Sequence, residues 1–360
     1  MSKKTVAVFF GGQSTEHAIS CISGTTFAKA IDRDKYDVIL VGITKDGRWL
    51  LADDIDSIVN KTWYNSKKTA IMSPEADDPC LIVIEGNHAE RVHIDVAFPT
   101  LHGMFGEDGT IQGLFNLARV KYVGCGCLAS AMAMDKVYTK LVVDTLGIRQ
   151  AKYVVIKDSD IPDMDGCIKK VKDKIESFPV FVKPSRSGSS VGMTKAENEE
   201  QLAEALRYAL KFDRKILVEE AIVGREIECA VIGDYDDVKA SGVGEILAAD
   251  TFYTYDAKYN NAESKTVVRP TFPAGKEDEV RRDAVAIFKA LDGYGLSRVD
   301  FFMEKDTNEV VFNEINTLPG HTSISMYPML WTDKGLDIKQ EVQQLIDLAL
   351  KRWIPGDDFE

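Results

Sequence analysis

The sequence lacks the hydrophobic segments that mark membrane and exported proteins. None of its apolar runs approaches the ~20 residues that an α-helix needs to span a bilayer. The N-terminal residues MSKKTVAVFFGG contain no long apolar segment followed by a cleavage site. We therefore expect a protein that acts in the cytoplasm and does not have a membrane as partner.

Cysteine pairs and positive charge are also scarce. The six cysteines are scattered and none forms a CxxC pair, so a zinc site is not expected. The formal net charge is −13, whereas proteins that bind nucleic acids or anionic membranes need a basic surface. Nucleic acid is therefore not expected as a partner, but a small anion remains possible because it needs only a local positive site.

The nucleotide-binding motifs that are easiest to recognise are absent or weak. The phosphate loop GxxxxGK[ST] does not occur. A GxGxxA pattern occupies residues 124–129 between a predicted strand and a predicted helix, but a turn that needs glycine explains it more simply than a dinucleotide does. The rival functions are a nicotinamide oxidoreductase built on this turn and a non-catalytic nucleotide-binding regulator.

The sequence does contain a long alternation of strand and helix patterns. Hydrophobic residues make up 45% and charged residues 28%, as in ordinary globular proteins, and 360 residues exceed one usual core. Short apolar runs at 6–10, 37–44 and 93–101 predict buried strands, with helical patterns between and after them. This order predicts βαβ units and a parallel sheet in the first third of the chain.

The rest of the chain divides into two further units. A long helix is expected at about 129–146, and strands are expected at 151–157 and 179–185. The last unit is richer in strands and contains an irregular segment at 251–270, a length typical of a functional lid or of disorder. We expect domain boundaries near 125 and 218, which gives domains at 1–124, 125–218 and 219–360.

The stretch FVKPSRSGSSVG, residues 181–192, combines a buried strand with a cation and a small, polar loop. Lys183 has apolar neighbours, and burying an unpaired ammonium group is costly, so this lysine needs an anion. The glycines of the loop let backbone N–H groups approach an anion, and its serine hydroxyls can donate to one. A surface turn whose lysine extends to solvent is the alternative, and the residues alone do not decide between them.

The segment 297–316 is predicted to form a hairpin centred on Thr307. Asp300 then faces Glu314 and Arg298 faces Asn316, all on one face of the sheet because side chains alternate along a strand. The opposed carboxylates repel, and a divalent cation such as Mg²⁺ would relieve this. The alternatives are a solvated strand face or a shift of one residue in register. The other face would hold a core of Val299, Phe301, Met303, Val311 and Ile315, with Asn313 as the exception.

Several stretches, spread over nearly the whole chain, match the motifs of one known family in the same order. They are GGQSTEHAIS (11–20), PTLHGMFGEDGTIQG (99–113), AMDK (133–136), FVKPSRSGSSVG (181–192), ILVEE (216–220), FYTYDAKY (252–259), SRVDFF (297–302) and FNEINTLPGHTSISMYP (312–328). The chain resembles the ATP-grasp ligases, and more closely the D-alanine–D-alanine ligase family. The resemblance implies an α/β fold of three-domain ATP-grasp architecture, in which an N-terminal Rossmann-like parallel sheet is followed by two α+β ATP-grasp domains.

The resemblance also implies a reaction and its partners. The family activates one D-alanine with ATP as a D-alanyl phosphate, which the amine of a second D-alanine attacks to give D-alanyl-D-alanine, ADP and phosphate for peptidoglycan synthesis. A homodimer is expected on the same basis. Relatives that use D-serine, or less closely D-lactate, as the second substrate are the alternative.

The nucleotide and metal residues follow from the matching motifs. The resemblance places Lys136 and Lys183 near the α and β phosphates and Glu226 at the ribose hydroxyls, with Ser190 and Glu219 also at the nucleotide. It implies two Mg²⁺ or Mn²⁺ ions held by Asp300, Glu314 and Asn316, with Glu314 bridging them.

The amino-acid substrates engage a different group of residues in the family. The resemblance implies that Glu16 pairs with the ammonium group of the first D-alanine, although an acidic residue favouring the dipole of a helix is the alternative. Arg298 and the N–H of Gly320 would bind the oxyanion, and His102 would have a supporting role.

The lid and the second substrate pocket complete the expected site. In the lid, Lys258 would reach the γ-phosphate and Tyr259 would contact Ser189 and, through it, Glu16. Ser325 and Met326 would line the pocket for the second substrate, although Met326 could equally be a core methionine.

Overall fold

The computed structural model describes residues 2–247, 265–354 and 356. Most of the expected lid, including Lys258 and Tyr259, lies outside these residues. The described chain forms three β-sheets with helices packed against them. In this part of the molecule, no helix is both long enough and apolar enough to cross a bilayer.

The first sheet has eight strands. They are β1 Lys4–Gly11, β2 Tyr36–Ile43, β3 Trp49–Ala52, β4 Lys68–Met72, β5 Cys80–Glu85, β6 His88–His93, β7 Val96–Pro99 and β8 Lys121–Tyr122. Their order is β6-β5-β4-β3-β2-β1-β7-β8, and the β2-β1-β7-β8 half is parallel. This half confirms the predicted parallel sheet. The antiparallel β3–β6 half was not predicted, and its edge strand HAERVH is mostly exposed, as charged edge strands are.

Three helices belong to this first unit: α1 His17–Ala30, α2 Ile55–Val59 and α3 Thr110–Leu117. Helix α1 lies directly against β1. A Cβ atom on Gly24 would lie 2.6 Å from the Cβ of Phe10, so only glycine allows this close approach. The tight packing fixes the start of α1, and therefore Glu16, at the carboxyl end of β1.

The second sheet is antiparallel. Its strands are β9 Tyr153–Lys157, β10 Val180–Pro184, β11 Thr194–Ala196 and β12 Lys215–Glu220, in the order β11-β10-β12-β9, and the accompanying helices are α4 Cys127–Met134, α5 Lys136–Asp144, α6 Met164–Lys174 and α7 Glu199–Ala209. The single helix expected at 129–146 is in fact two. Asp135 separates them because its backbone is extended and its carboxylate accepts hydrogen bonds from the N–H groups of Val137 and Tyr138.

The third sheet carries the predicted hairpin. Its strands are β13 Gly224–Gly233, β14 Val238–Leu247, β15 Lys265–Val267, β16 Gly295–Glu304 and β17 Val310–Asn316, in the order β15-β14-β13-β16-β17, and the remaining helices are α8 Lys276–Ala290, α9 Met326–Asp333 and α10 Ile338–Lys351. Helix α8 packs on β13 and β14, while α10 packs on α1, β7 and β8 of the first unit. The C-terminal helix therefore ties the third sheet to the first.

The register of the hairpin is as predicted at its functional end. Asp300 pairs with Glu314 and Arg298 pairs with Asn316. A β-bulge then shifts the register between Asp300 and Phe301, so Asn313 is the extra residue of β17.

Because of this bulge, the β17 residues that face the core differ from those predicted. Phe301 pairs with Phe312, and the core contains Val310, Phe312 and Ile315 of β17. The expectation that Val311 joins Val299, Phe301 and Met303 on that face is therefore wrong, because the extra residue reverses the alternation of side chains on one side of it.

Candidate active site

A cleft of about 660 Å³ lies where the three sheets meet. The loop after β1 contributes to its wall, as do β10 with the loop that follows it and the β13–β16–β17 face of the third sheet. It brings together most of the residues singled out from the sequence, namely Glu16, Lys136, Lys183, Ser189, Ser190, Glu219, Glu226, Arg298, Asp300, Glu314 and Asn316.

Of the remaining candidates, those within the described residues do not line this cleft. His102 is buried behind it, with Nε2 2.9 Å from Ser23 Oγ and Nδ1 2.8 Å from the carbonyl oxygen of Leu318. A Cβ atom on Gly320 would lie 3.2 Å from Ser325 Oγ, so these two candidates are neighbours.

Met326 lies in the hydrophobic core. It is 2% exposed and packs against Gly244, on which a Cβ atom would lie 2.3 Å from the Met326 sulfur. This placement corresponds to the core methionine that the sequence left as the alternative, and not to the wall of a substrate pocket.

Lys183 finds its anion within the protein. Glu219 lies on the neighbouring strand β12, and its two carboxylate oxygens are each 2.6 Å from an ammonium group, one from Lys183 and one from Lys140. Burial alone would raise the pKa of Glu219, but the two lysines outweigh this and lower the pKa to about 2. The three side chains of this cluster carry two positive charges and one negative charge.

Lys140 was missed by the sequence analysis, although a signal was present. It is four residues after Lys136 on α5, and residues at this spacing share one face of a helix. Lys136 itself donates to the carbonyl oxygen of Ser187 at 2.6 Å, and its ammonium group is 3.9 Å from a carboxylate oxygen of Glu314. The α5 face thus presents Lys136 to the cleft, where it tethers the glycine- and serine-rich loop, and holds Lys140 buried against Glu219.

The loop after β10 has an unusual backbone. Ser189 and Ser190 both have positive φ angles, 51° and 58°, a left-handed conformation that non-glycine residues seldom adopt. The Ser189 hydroxyl is buried in the cleft wall and has no hydrogen-bond partner among the described residues. Because a buried hydroxyl without a partner is costly, this group fits a ligand that bonds to it.

Arg298 is the central cation of the third sheet. Its Nε and Nη2 atoms each donate to one carboxylate oxygen of Asp300 at 2.7 Å, and Nε also lies 3.1 Å from Glu228. Burial would lower the pKa of Arg298, but Asp300 and Glu228 raise it well above the ordinary value.

This arrangement changes the argument about repulsion in the hairpin. The guanidinium group of Arg298 offsets part of the charge of Asp300 beside Glu314, but it is shared with Glu228, so one cation faces three carboxylates. Glu228 was missed by the sequence analysis, yet it alternates with Glu226 along β13 and pairs with Asp300 in register.

The donor set of the hairpin is compatible with Mg²⁺. Asp300 and Glu314 supply carboxylate oxygens at the cleft, and Asn316 donates through Nδ2 to Asp300 at 2.9 Å, which leaves its amide oxygen as a ligand. Within the described ranges, no group of three or more histidine, cysteine, aspartate and glutamate side chains is arranged to hold a metal ion. A metal here would therefore need further oxygen ligands, such as those of a phosphate.

Glu16 lies at the opposite side of the cleft. It precedes α1, but its side chain makes no capping hydrogen bond to the helix. A Cβ atom on Gly103 would lie 2.8 Å from Glu16 Oε2, and one on Gly188 would lie 3.3 Å away, so both glycines leave room for the carboxylate. The side chain is thus directed at the cleft and not at the N–H groups of its own helix.

Glu107 is a further, half-buried carboxylate of the cleft that the sequence analysis missed, although it lies within the GED of the matched 99–113 motif. Its two oxygens accept hydrogen bonds from the N–H groups of Gly103, at 2.9 Å, and Leu318, at 2.8 Å. Burial, followed by the nearby charge of Glu16, raises the pKa of Glu107 to about 7.

Comparison with known proteins shows which family the chain resembles over its length. Residues 5–125 match the family model described as D-ala D-ala ligase N-terminus, and residues 142–347 match the one described as D-ala D-ala ligase C-terminus. The D-alanine–D-alanine ligase of Acetivibrio thermocellus is 48% identical over 98% of this chain and 97% of its own length. That of Clostridium novyi is 47% identical over 97% of this chain and 99% of its own length.

Solved structures are similar over the same extent. A crystal structure of the VanG D-Ala:D-Ser ligase from Enterococcus faecalis has a TM-score of 0.88 and 36% identity, covering 97% of this chain and 100% of that one. The D-alanine–D-alanine ligase of Coxiella burnetii has a TM-score of 0.85 and 32% identity, covering 98% of this chain and 95% of that one. These similarities, which extend over both halves of the molecule, show that the chain belongs to the D-alanine–D-alanine ligase family.

Proposed function

We propose that the chain joins two D-alanine molecules at the expense of ATP. The observation that carries the proposal is the cleft itself, in which a lysine-lined wall, a carboxylate–amide set and the Glu16 carboxylate face one another. The first step transfers the γ-phosphoryl group of ATP to the carboxylate of one D-alanine and releases ADP. The amine of the second D-alanine then displaces phosphate and loses a proton, which gives D-alanyl-D-alanine.

The nucleotide would bind between the second and third sheets. Lys136 and Lys183 would contact the α and β phosphates, because they line the cleft and the cluster around Glu219 has a net positive charge. Ser190 would lie at the phosphates, and Glu226 would accept hydrogen bonds from the ribose hydroxyls.

Two divalent ions, Mg²⁺ or Mn²⁺, would be held by Asp300, Glu314 and Asn316. Bound there, they would neutralise phosphate charge during transfer. Arg298 orients Asp300 through two hydrogen bonds, so the metal ligand is already fixed in direction.

The amino-acid substrates would bind between Glu16 and Arg298. Glu16 would pair with the ammonium group of the first D-alanine. Arg298 and the N–H of Gly320 would donate to the oxyanion that forms when the second amine attacks. His102 would support this region through its contact with the Leu318 carbonyl group.

The lid and the second subsite are proposed from family resemblance. Lys258 would contact the γ-phosphate, and Tyr259 would bond to the Ser189 hydroxyl, which is buried in the cleft wall. Ser325, the neighbour of Gly320, would contact the second substrate. Met326 would act from the core, as support for this subsite.

The proposal also includes the domain boundaries, the oligomeric state and the cellular location of the protein. Domains at 1–124, 125–218 and 219–360 are supported by the three separate sheets, although β12 of the second sheet extends to Glu220, two residues past the proposed boundary. A homodimer is proposed from the family resemblance alone, and a cytoplasmic location is proposed because the chemistry serves peptidoglycan precursor synthesis.

A D-alanine–D-serine ligase is the second candidate, because one of the similar solved structures is a D-Ala:D-Ser ligase. Both candidates are tested by measuring ADP and phosphate release with Mg-ATP, alone and with D-alanine, and with D-alanine plus D-serine or D-lactate. D-Alanine-dependent release that yields D-alanyl-D-alanine supports the proposal. Release that ignores D-alanine refutes it, and a mixed product as the main dipeptide supports the second candidate.

A further inference from the structure

A buried polar pair lies outside the cleft, next to Gly320. The imidazole Nε2 of His321 is 2.7 Å from Oε1 of Glu341, and the two side chains are 0% and 1% exposed. His321 follows Gly320 directly, while Glu341 belongs to the C-terminal helix α10. The pair therefore connects the loop after β17 to a distant part of the chain.

The hydrogen bonds define where the protons lie. The Nδ1 atom of His321 is 2.8 Å from the carbonyl oxygen of Pro319, which can only accept, so Nδ1 carries a proton. A second proton must lie between Nε2 and Glu341, since two lone pairs would otherwise face each other at 2.7 Å. His321 is thus held at both ring nitrogens, one on the loop and one on the helix.

The loop segment 318–321 is also held by hydrogen bonds to its backbone groups and by a ring contact. The backbone N–H of His321 donates to Ser23 Oγ of α1 at 3.1 Å, and the imidazole packs against the ring of Phe27, with ring centroids 4.3 Å apart. Glu107 and His102 bind the N–H and the carbonyl oxygen of Leu318. Gly320 is therefore flanked on both sides by residues whose backbone groups are held by side chains from the first unit.

We propose that the His321–Glu341 pair is a positioning device for the Gly320 peptide group. The Pro319 carbonyl group that accepts the hydrogen bond from His321 belongs to the same peptide group as the N–H of Gly320. The bond from Glu341 prevents the imidazole from rotating away from this carbonyl group. The inference rests on the proposed function in taking Gly320 as the oxyanion donor. A donor displaced by about 1 Å can lose about 10²-fold in rate, so its orientation matters more than the stability that the pair contributes.

A purely structural role predicts different behaviour. Replacing a buried ionic pair by apolar residues of similar volume is often neutral or stabilising. We therefore compare Glu341→Leu with the double variant His321→Phe plus Glu341→Leu, which restores an apolar contact but removes the bond to Pro319. Glu341→Gln is the matched control, because its amide can donate to Nε2 while Nδ1 still donates to Pro319.

The test measures melting temperature, kcat and the KM values for ATP and D-alanine in these variants. We expect Glu341→Gln to stay within about twofold of wild-type kcat, and both the single and the double leucine variants to lose about 10- to 100-fold in kcat with KM for ATP unchanged. The double variant should recover a near wild-type melting temperature without recovering kcat. Wild-type kcat in a folded double variant would overturn the proposal.

Amide hydrogen exchange separates this inference from the proposed function. The amides of Leu318 and residue 321 are hydrogen-bonded, so exchange at both should be faster in Glu341→Leu and in the double variant, but not in Glu341→Gln. Unchanged exchange would refute the positioning role whatever the reaction is. Absence of D-alanine-dependent turnover in the wild type would refute the proposed function instead, and the exchange measurement would still decide whether the pair holds this segment.

Discussion

Arg298 and Asp300, two residues apart on β16, form a bidentate ion pair with both N–O distances at 2.7 Å. The proposed oxyanion donor and the proposed metal ligand are therefore one rigid unit. Both are buried, and Arg298 also pairs with Glu228, so turning Arg298 away would leave two buried carboxylates without this counter-charge. The two steps of the proposed reaction are thus coupled through a single strand.

Arg298→Lys is expected to lower kcat by about 10²- to 10³-fold, because lysine cannot make the two parallel hydrogen bonds that orient Asp300. Steady-state ADP release measures this, with circular dichroism to confirm the fold. Arg149→Lys is the matched control, since Arg149 pairs with Glu304 outside the cleft and should retain wild-type kcat. Equal losses in both variants would show that the effect is general.

Glu314→Gln is expected to abolish turnover while the protein remains folded, because the substitution removes charge but preserves volume. Turnover and thermal unfolding should be measured together. The control is Glu309→Gln, at an exposed position beyond the cleft. If Glu314→Gln unfolds the protein, Glu314 has a structural role and the metal assignment loses its support.

Glu219→Gln is expected to destabilise the protein more than Lys140→Met does. Removing Glu219 leaves the buried Lys140 and the partly buried Lys183 without their nearest counter-charge and should cost about 3–5 kcal/mol, whereas removing Lys140 leaves a neutral pair of Glu219 and Lys183. Urea unfolding at neutral pH gives both free energies of unfolding. The reverse order would mean that the net charge of this cluster does not govern its stability.

Glu107 predicts a pH dependence of stability. Its pKa is raised from 4.5 to about 7 in the folded protein, so between these values the folded state holds a proton that the unfolded state has lost. Stability from this group is therefore full below pH 4.5 and declines by up to about 3 kcal/mol as pH rises to 7.

The measurement compares unfolding free energies of the wild type and Glu107→Gln at several pH values from 4.5 to 8. Glutamine loses one acceptor for a backbone N–H, which gives an offset at every pH, so only the slope is informative. We expect the free energy of unfolding of the wild type, relative to that of Glu107→Gln, to fall as the pH rises over this range. Parallel profiles would contradict the raised pKa.

The hairpin shows what the sequence could predict. Turn residues at 306–308 mark its centre, and the alternation of side chains then places Arg298, Asp300, Glu314 and Asn316 on one face. The bulge at Asn313 could not be located, because it depends on how the core accepts Phe312. Its only sign in the sequence was a polar residue at a predicted core position.

The groups that were missed meet across separate elements. Lys140 reaches Glu219 from a helix, and Glu107 reaches Leu318 from a loop more than two hundred residues earlier in the chain. Local periodicity predicts which way a side chain faces but not which distant strand it meets. In the antiparallel half of the first sheet, β6 is mostly polar and gives no apolar pattern, whereas β5 has an apolar run, CLIVIE, that the sequence analysis did not use.

The extra residue in β17 lets one short strand both pack in the core and present polar side chains to the cleft, which a regular strand could not do with this sequence. On one side of Asn313 the strand directs Phe312 and Val310 into the interior, and on the other it directs Glu314 and Asn316 toward the cleft. In a regular strand, side chains two residues apart point to the same side, so placing Phe312 in the core would also direct Glu314 into the core. A single bulge therefore allows the same strand to pack in the core at one end and to present polar groups to the cleft at the other.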